Sequence, residues 1–151
     1  LRFRKWQFSL GAVAAVFHDV LIVLGFFSLT YKIMPFNMEI NQAFIAAALT
    51  VIGYSLNDTV VVFDRIREYF SEHSKWEDNV IVNTALNSTL SRTLNTSLTT
   101  LIVLLSIFIF GGESIRGFMF ALIIGVIVGT YSSVFIATPI MFDTQRKTKS
   151  S

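Results

Sequence analysis

Apolar residues along this chain gather into four long stretches, residues 8–31, 40–66, 90–110 and 117–142, with polar segments between them. A hydrocarbon core about 30 Å thick is crossed by about 20 mostly apolar helical residues. Each stretch therefore predicts one membrane-spanning helix. Runs this long and unbroken do not suit the alternating strands of a membrane barrel, which are about ten residues each. Gly, Ala, Ser and Thr are scattered through all four, as in helices that pack together in lipid. The predicted fold class is an all-α membrane protein, a four-helix transmembrane bundle forming one domain. Segments 32–39, with Pro35, and 111–116 read as short turns. Segment 67–89 is the sizeable polar connection. In it Trp76, Val80, Ile81, Thr84 and Ala85 fall on one helical face, which predicts an amphipathic helix at the membrane surface. Such a helix either packs on the bundle as a linker or docks a partner.

Composition sharpens this picture. Of 151 residues 53% are hydrophobic and only 15% charged, against about 25% charged in a soluble domain. Disorder and an ordinary soluble fold are both excluded. The charges also orient the bundle. Nine Lys/Arg lie at the amino end (Arg2, Arg4, Lys5), around the middle connection (Arg65, Arg67, Lys75) and in the tail (Arg146, Lys147, Lys149). The two short turns hold two, Lys32 and Arg116. The cytoplasmic side is the basic side, so both ends and the middle connection are expected there. The net charge of +2 is then a topology signal, not a nucleic-acid signal. With no cysteine, disulfides and thiol catalysis are excluded. There is no Ser-His-Asp constellation, metal-ligand cluster or phosphate-binding glycine loop, and His18 and His73 are far apart. Neither an enzyme nor a cofactor is expected. The opening Leu1-Arg2-Phe3-Arg4-Lys5 reads as a piece of a longer polypeptide.

Three ionisable residues fall inside the spans: Asp19, Asp58 and Arg92, with His18 beside the first. A charge at bilayer depth costs about 2.5–3.5 kcal/mol on insertion scales, so each asks for a reason. Asp58 is 18 residues from Ile40, and Arg92 is 18 residues from Phe110. At 1.5 Å per residue both lie about 27 Å in from the same side of the membrane. Asp58 shares a face with Tyr54 and has Asn57 beside it; Arg92 belongs to a stripe with Ser88, Asn95, Thr96 and Thr99. A polar stripe in lipid should turn inward, so Asp58 and Arg92 are expected to meet within the bundle. Inside a membrane a carboxylate balances its charge with either a proton or a neighbouring cation. An Asp–Arg pair that opens and closes could couple proton movement to helix rearrangement. The alternative is a static pair that fixes helix register. In the fourth span Gly117, Ala121, Gly125, Gly129, Ser133 and Ala137 recur every four residues, with a GxxxG pair at Gly125 and Gly129. Such a stripe allows close helix approach, either for simple assembly or for movement during a cycle.

These motifs resemble a known family. The seventeen residues from Ile52 to Glu68, IGYSLNDTVVVFDRIRE, are similar to the signature of the SecF family of the bacterial Sec protein-export machinery. His18-Asp19-Val20, Ser91-Arg92-Thr93-Leu94 with Thr96-Ser97, and Phe110-Gly111-Gly112 through Gly117-Phe118 match the same family in the same order. The glycine motif is shared more widely, with SecD and the resistance-nodulation-division transporters. The resemblance implies six spans with a periplasmic domain between the first two, of which this chain would be the last four. It would be the SecF subunit, or the SecF half of a fused SecDF, with a bundle like part of a resistance-nodulation-division membrane domain.

The implied function is to assist protein export across the bacterial cytoplasmic (inner) membrane by using the proton-motive force, protons being the coupling ion. The implied partners are SecD or the SecD half of the same chain, the SecYEG channel, YajC, YidC and exported preproteins. The family's intramembrane carboxylate and arginine fall on Asp58 and Arg92, with Asp19 as a further proton-coupling candidate. Asn57, Tyr54, Asn95 and Thr96 are supporting polar residues. Two other readings remain: a proton-driven small-molecule or lipid exporter of the resistance-nodulation-division class, and a structural scaffold without transport.

Overall fold

A computed structural model describes residues 6–36 and 38–150, except the side chain of Thr148. Arg2, Arg4 and Lys5, used above for orientation, lie outside the described residues. The elements are α1 (Trp6–Thr30), α2 (Gln42–Glu72), α3 (Asp78–Phe110), α4 (Glu113–Ser132), a π-helical turn (Ser133–Ala137) and α5 (Thr138–Ser150). Four helical stretches are long and apolar enough to cross a membrane, the fourth running through α4, the π turn and into α5. The described residues contain no strand. Phe17, Leu21, Leu98, Ile102 and Ile127 point outward, as expected of a surface solvated by acyl chains.

One expectation is corrected. Segment 67–89 does not form a separate surface helix. α2 runs on to Glu72 and α3 already starts at Asp78, leaving a connection of residues 73–77. No proline or glycine interrupts either approach, so each helix simply continues past the apolar stretch. Ile81, Val82 and Ala85 are buried, while Trp76 and Val80 remain exposed. The apolar face therefore packs on the bundle. The tip of this hairpin is an aromatic column: Tyr69 stacks on His73 at 5.3 Å, and His73 lies 3.9 Å from Trp76. At the opposite end Asn41 caps α2, its side chain accepting from the Phe44 amide at 3.1 Å.

Two apolar clusters fill the bundle. One, at the hairpin end, joins Phe8, Ala12, Ala15, Phe63, Ile66 and Met141. The other, toward the short turns, joins Val23, Phe27, Phe44, Val51, Ala121 and Leu122. In Phe27 and Phe44 the ring centroids are 4.5 Å apart. Between the clusters lies a layer of buried polar side chains: Asp19, Ser55, Thr93, Ser97, Ser132 and Ser133.

The small-residue stripe of α4 faces α2. A Cβ on Gly125 would collide with the Val51 side chain, and one on Gly129 would lie 3.4 Å from the Ser55 Cβ. Ala121 and Ala137 are fully buried, while Gly117 lies at the turn end beside a cavity lined by Phe27, Glu39 and Phe44. On α1, a Cβ on Gly11 would be 2.6 Å from the Ala137 carbonyl oxygen. The π turn precedes Pro139. Proline has no amide hydrogen and its ring crowds the carbonyl four residues back, here Phe135 inside the turn. Widening the helix relieves that crowding, and the Thr138 hydroxyl donates to the Ser133 carbonyl at 3.0 Å.

Gly125→Ala should destabilise the bundle by about 1–3 kcal/mol, the usual range for overpacking, with most of the loss recovered in Gly125→Ala combined with Val51→Ala. Denaturant titration of the detergent-solubilised protein would measure both. A single variant as stable as the parent would show that α2 and α4 are not held this closely.

Candidate functional site

Asp19 sits in the middle of α1, with no exposed surface. It lies on the helix face that carries Ala12, Ala15, Val23 and Phe27 into the core, so the helical period delivers a carboxylate to an otherwise apolar seam. Two hydroxyl donors and the ring of His18 meet it there. The Ser55 hydroxyl of α2 makes a short hydrogen bond to Oδ2, and the Ser132 hydroxyl of α4 donates to the same oxygen at 2.8 Å. His18 Nδ1 lies 3.2 Å from Oδ1. The acid thus joins three helices, α1, α2 and α4.

Asp58 lies on the other side of the same crossing. Ser133 Oγ donates to its Oδ2 at 2.6 Å and Thr93 Oγ1 donates to its Oδ1 at 3.2 Å. Its side chain is half-buried, unlike that of Asp19. The consecutive residues Ser132 and Ser133 therefore serve two different carboxylates. They mark the point where the α-helix gives way to the π turn, a local widening often found at functional sites.

The expected meeting of Asp58 with Arg92 does not occur. Among the described residues the two form no ion pair, and both carboxylate oxygens of Asp58 are engaged by hydroxyls. α3 and α2 are at one level here, since Thr93 touches Asp58. What differs is the direction of the side chain. Thr89, Thr93 and Ser97, spaced by four, form the buried face of α3. Arg92 is about 100° away around the helix and is exposed, as are Asn95 and Thr96. Thr96 returns its hydroxyl to the Arg92 carbonyl at 2.9 Å. Asn57 is also exposed, next to Asp58. The inward-turning rule assumes that every flank of a helix is either core or lipid; these four helices leave the polar flank of α3 uncovered.

Tyr54 does join the polar layer. Its hydroxyl lies 2.9 Å from Ser97 Oγ, which lies 2.5 Å from Thr130 Oγ1. Ser133, expected only as a packing residue, is a carboxylate ligand. Ser55, Thr93, Ser97, Thr130 and Ser132 were not anticipated from the sequence. The one available signal was the Ser132-Ser133 pair within an otherwise apolar span. Charges outside the layer pair locally. Arg65 donates to Glu68 at 2.6 Å, and Lys149 of α5 meets Asp78 of α3 at 2.7 Å.

Comparison with known proteins finds relatives along nearly the whole chain. The family model for the protein export membrane protein SecD/SecF, C-terminal, matches residues 1–147. A protein translocase subunit SecF from Rhodothermus marinus is 57% identical over 139 residues, covering 92% of this chain and 45% of that protein. Another, from Cereibacter sphaeroides, is 50% identical over 141 residues, 93% of this chain and 41% of its own length. The chain thus spans less than half the length of these relatives. Among solved structures, SecDF in its super-membrane-facing form superposes with a TM-score of 0.88 at 40% identity, over 96% of this chain and 19% of that one. SecDF from Thermus thermophilus, a translocon-associated membrane protein, gives 0.82 at 40% identity, over 94% and 19%. A carboxylate-bearing polar layer inside four lipid-facing helices, matched by the family model along nearly its whole length, places this multi-pass membrane chain in the SecD/SecF family of protein export membrane proteins, on the SecF side.

Proposed function

We propose that this chain is the membrane portion of an accessory subunit of the Sec protein translocase, and that it helps to draw proteins across the bacterial cytoplasmic membrane with the proton-motive force. The observation that carries this reading is Asp58, a carboxylate held within the membrane by two neutral hydroxyls, with one flank open. Hydroxyls can serve either protonation state, because they both donate and accept. In low dielectric the acid balances its charge with a proton or with a cation. Arg92, one residue from the Thr93 ligand and turned outward, is the cation within reach of a helix rotation. Protonated Asp58 with Arg92 turned away, and ionised Asp58 with Arg92 engaged, are the two states that such a subunit would exchange.

The exposed polar flank of α3 calls for a cover, since lipid offers no hydrogen-bond partners. SecD, or the SecD half of a fused chain, is the partner we assign to it. SecYEG and the emerging preprotein, with YajC and YidC, complete the proposed assembly. The end of the bundle carrying the 73–77 connection faces the cytoplasm, by the distribution of Lys and Arg. Asp19 is proposed as a second acid of the site, acting through position: it fixes Ser132, and hence the π turn that presents Ser133 to Asp58. The scaffold alternative rested on a static Asp58–Arg92 pair, which these four helices do not form.

In the full-length protein assembled with SecD, Asp58→Asn should insert normally and lose the stimulation of preprotein export by the proton-motive force, by at least about tenfold. Export into inverted membrane vesicles, with and without an imposed gradient, measures this; an unchanged response would refute the assignment. Arg92→Ala is expected to behave likewise. Asp19→Ala should lower stability by about 1–3 kcal/mol, the penalty for buried hydroxyls left without an acceptor. Thermal unfolding in detergent tests that, and a variant with the parent's melting temperature would show that Asp19 is not a clasp.

A further inference from the structure

The polar layer has two storeys. Asp58 on α2, Thr93 on α3 and Ser133 of the π turn that continues α4 form the first, joined at 3.2 and 2.6 Å. Tyr54, Ser97 and Thr130 form the second, joined at 2.9 and 2.5 Å. Both draw one residue from each of the same three helices. The offsets are four residues on α2, four on α3 and three on α4, so the second storey lies one helical turn, about 5.4 Å, nearer the short turns. Beyond it the bundle is closed by Val51, Leu122 and Ala121 of the apolar cluster. The upper triad is thus a set of hydroxyls between a membrane acid and an apolar seal.

Between the three hydroxyls either oxygen can be the donor. Thr130 Oγ1 donates to the Val126 carbonyl at 2.8 Å. Its oxygen is then free to accept from Ser97, and Ser97 to accept from Tyr54. In that order all three donors point the same way, and each oxygen could equally run in the reverse sense, since a hydroxyl both donates and accepts. Packing alone does not require this. Ser97 is buried, with 5% of its surface exposed, and a valine-like shape would fill the Thr130 position as well. The Tyr54 ring is seated close to Gly129, whose Cβ would lie 3.6 Å from its Cδ1.

We propose that Tyr54, Ser97 and Thr130 form a proton relay on the short-turn side of Asp58. The inference rests on the reading of Asp58 as the proton-carrying acid. The step needs one water molecule to bridge the single turn between the storeys, two hydrogen bonds end to end. The Asp58 carboxyl gives its proton to that water, and the water passes one of its own to a hydroxyl oxygen of the triad. That hydroxyl releases its former proton to the next oxygen. No bond to carbon changes, and rotation of the hydroxyls restores the starting order. The relay meets the apolar seal, so the transfer runs only when helix movement opens the Val51–Leu122 region and the last oxygen gives its proton to water admitted there, leaving every hydroxyl neutral.

The test uses the full-length protein with its SecD partner in proteoliposomes, with proton flux read by a pH-sensitive dye under an imposed gradient. Thr130→Val keeps the side-chain shape and removes the hydroxyl, whereas Thr130→Ser keeps the hydroxyl and removes a methyl group. The relay predicts at least a fivefold loss of flux for Thr130→Val, Ser97→Ala and Tyr54→Phe, with Thr130→Ser within twofold of the parent. A packing role predicts the opposite order at Thr130. Flux at the parent level in Thr130→Val, or equal losses in Thr130→Val and Thr130→Ser, would overturn the relay. Asp58→Asn, measured alongside, separates the two levels. If its flux is lost while the triad variants conduct normally, the relay alone fails; if it conducts normally, the reading of Asp58 falls and the relay with it.

Discussion

A carboxylate enclosed by lipid-facing helices must be given donors, and in this bundle the donors to each acid are drawn from two further elements. Asp19 of α1 takes hydroxyls from α2 and α4; Asp58 of α2 takes them from α3 and the π turn. The four spans are consequently tied by two acids, with the two apolar clusters filling the levels on either side of them. Apolar packing gives no preference for one helix register over another when lipid is as apolar as the core. The hydrogen bonds to the two acids supply that preference, because sliding a helix by one residue would strand a buried polar group.

Close approach makes those bonds reachable. A serine hydroxyl is short, and Ser132 can reach Asp19 only if α4 lies nearly in contact with its neighbours. Gly125 and Gly129 permit this against α2, and Gly11 permits it between α1 and the π turn. Pro139 adds a second condition. By widening the turn before it, the proline alters the angular step along the helix where two consecutive serines serve acids of two different helices, Asp19 of α1 and Asp58 of α2. In a regular helix residues one apart diverge by about 100°, and the match would depend on the neighbours alone.

Much of this was legible in the sequence. The four spans follow from the length of the apolar runs, and a close helix approach along the fourth span from the four-residue spacing of its small residues, though not which helix it meets. Asp19 and Asp58 stand out because a carboxylate in an apolar run has a high cost. The polar stripe of α3 was read correctly as a stripe and wrongly as inward-facing. Periodicity shows which residues share a face, but the direction of that face depends on what surrounds the helix, and these four spans do not surround α3. The ligands Ser55, Thr93, Ser132 and Thr130 were hidden for a different reason. Ser and Thr are common in membrane helices, where they often return a hydrogen bond to their own backbone, as Thr84, Thr99 and Ser106 do here. Only the neighbouring helix distinguishes a ligand from a residue satisfied by its own turn.

The length of α2 and α3 has a mechanical meaning. With 31 and 33 residues they extend about 46 and 50 Å, well over the thickness of the hydrocarbon layer. The excess lies at the end closed by residues 73–77, where the Tyr69–His73–Trp76 column stiffens the tip and Lys149 braces α3 against α5. The hairpin carries α2, with Asp58, and α3, with Thr93, beyond the level of the polar layer to a shared tip. A small change of tilt at that layer, of the kind that separates two arrangements of a single side chain, would sweep the far end through a larger arc, turning an event of ångström scale within the bilayer into a displacement that a protein docked below it could feel.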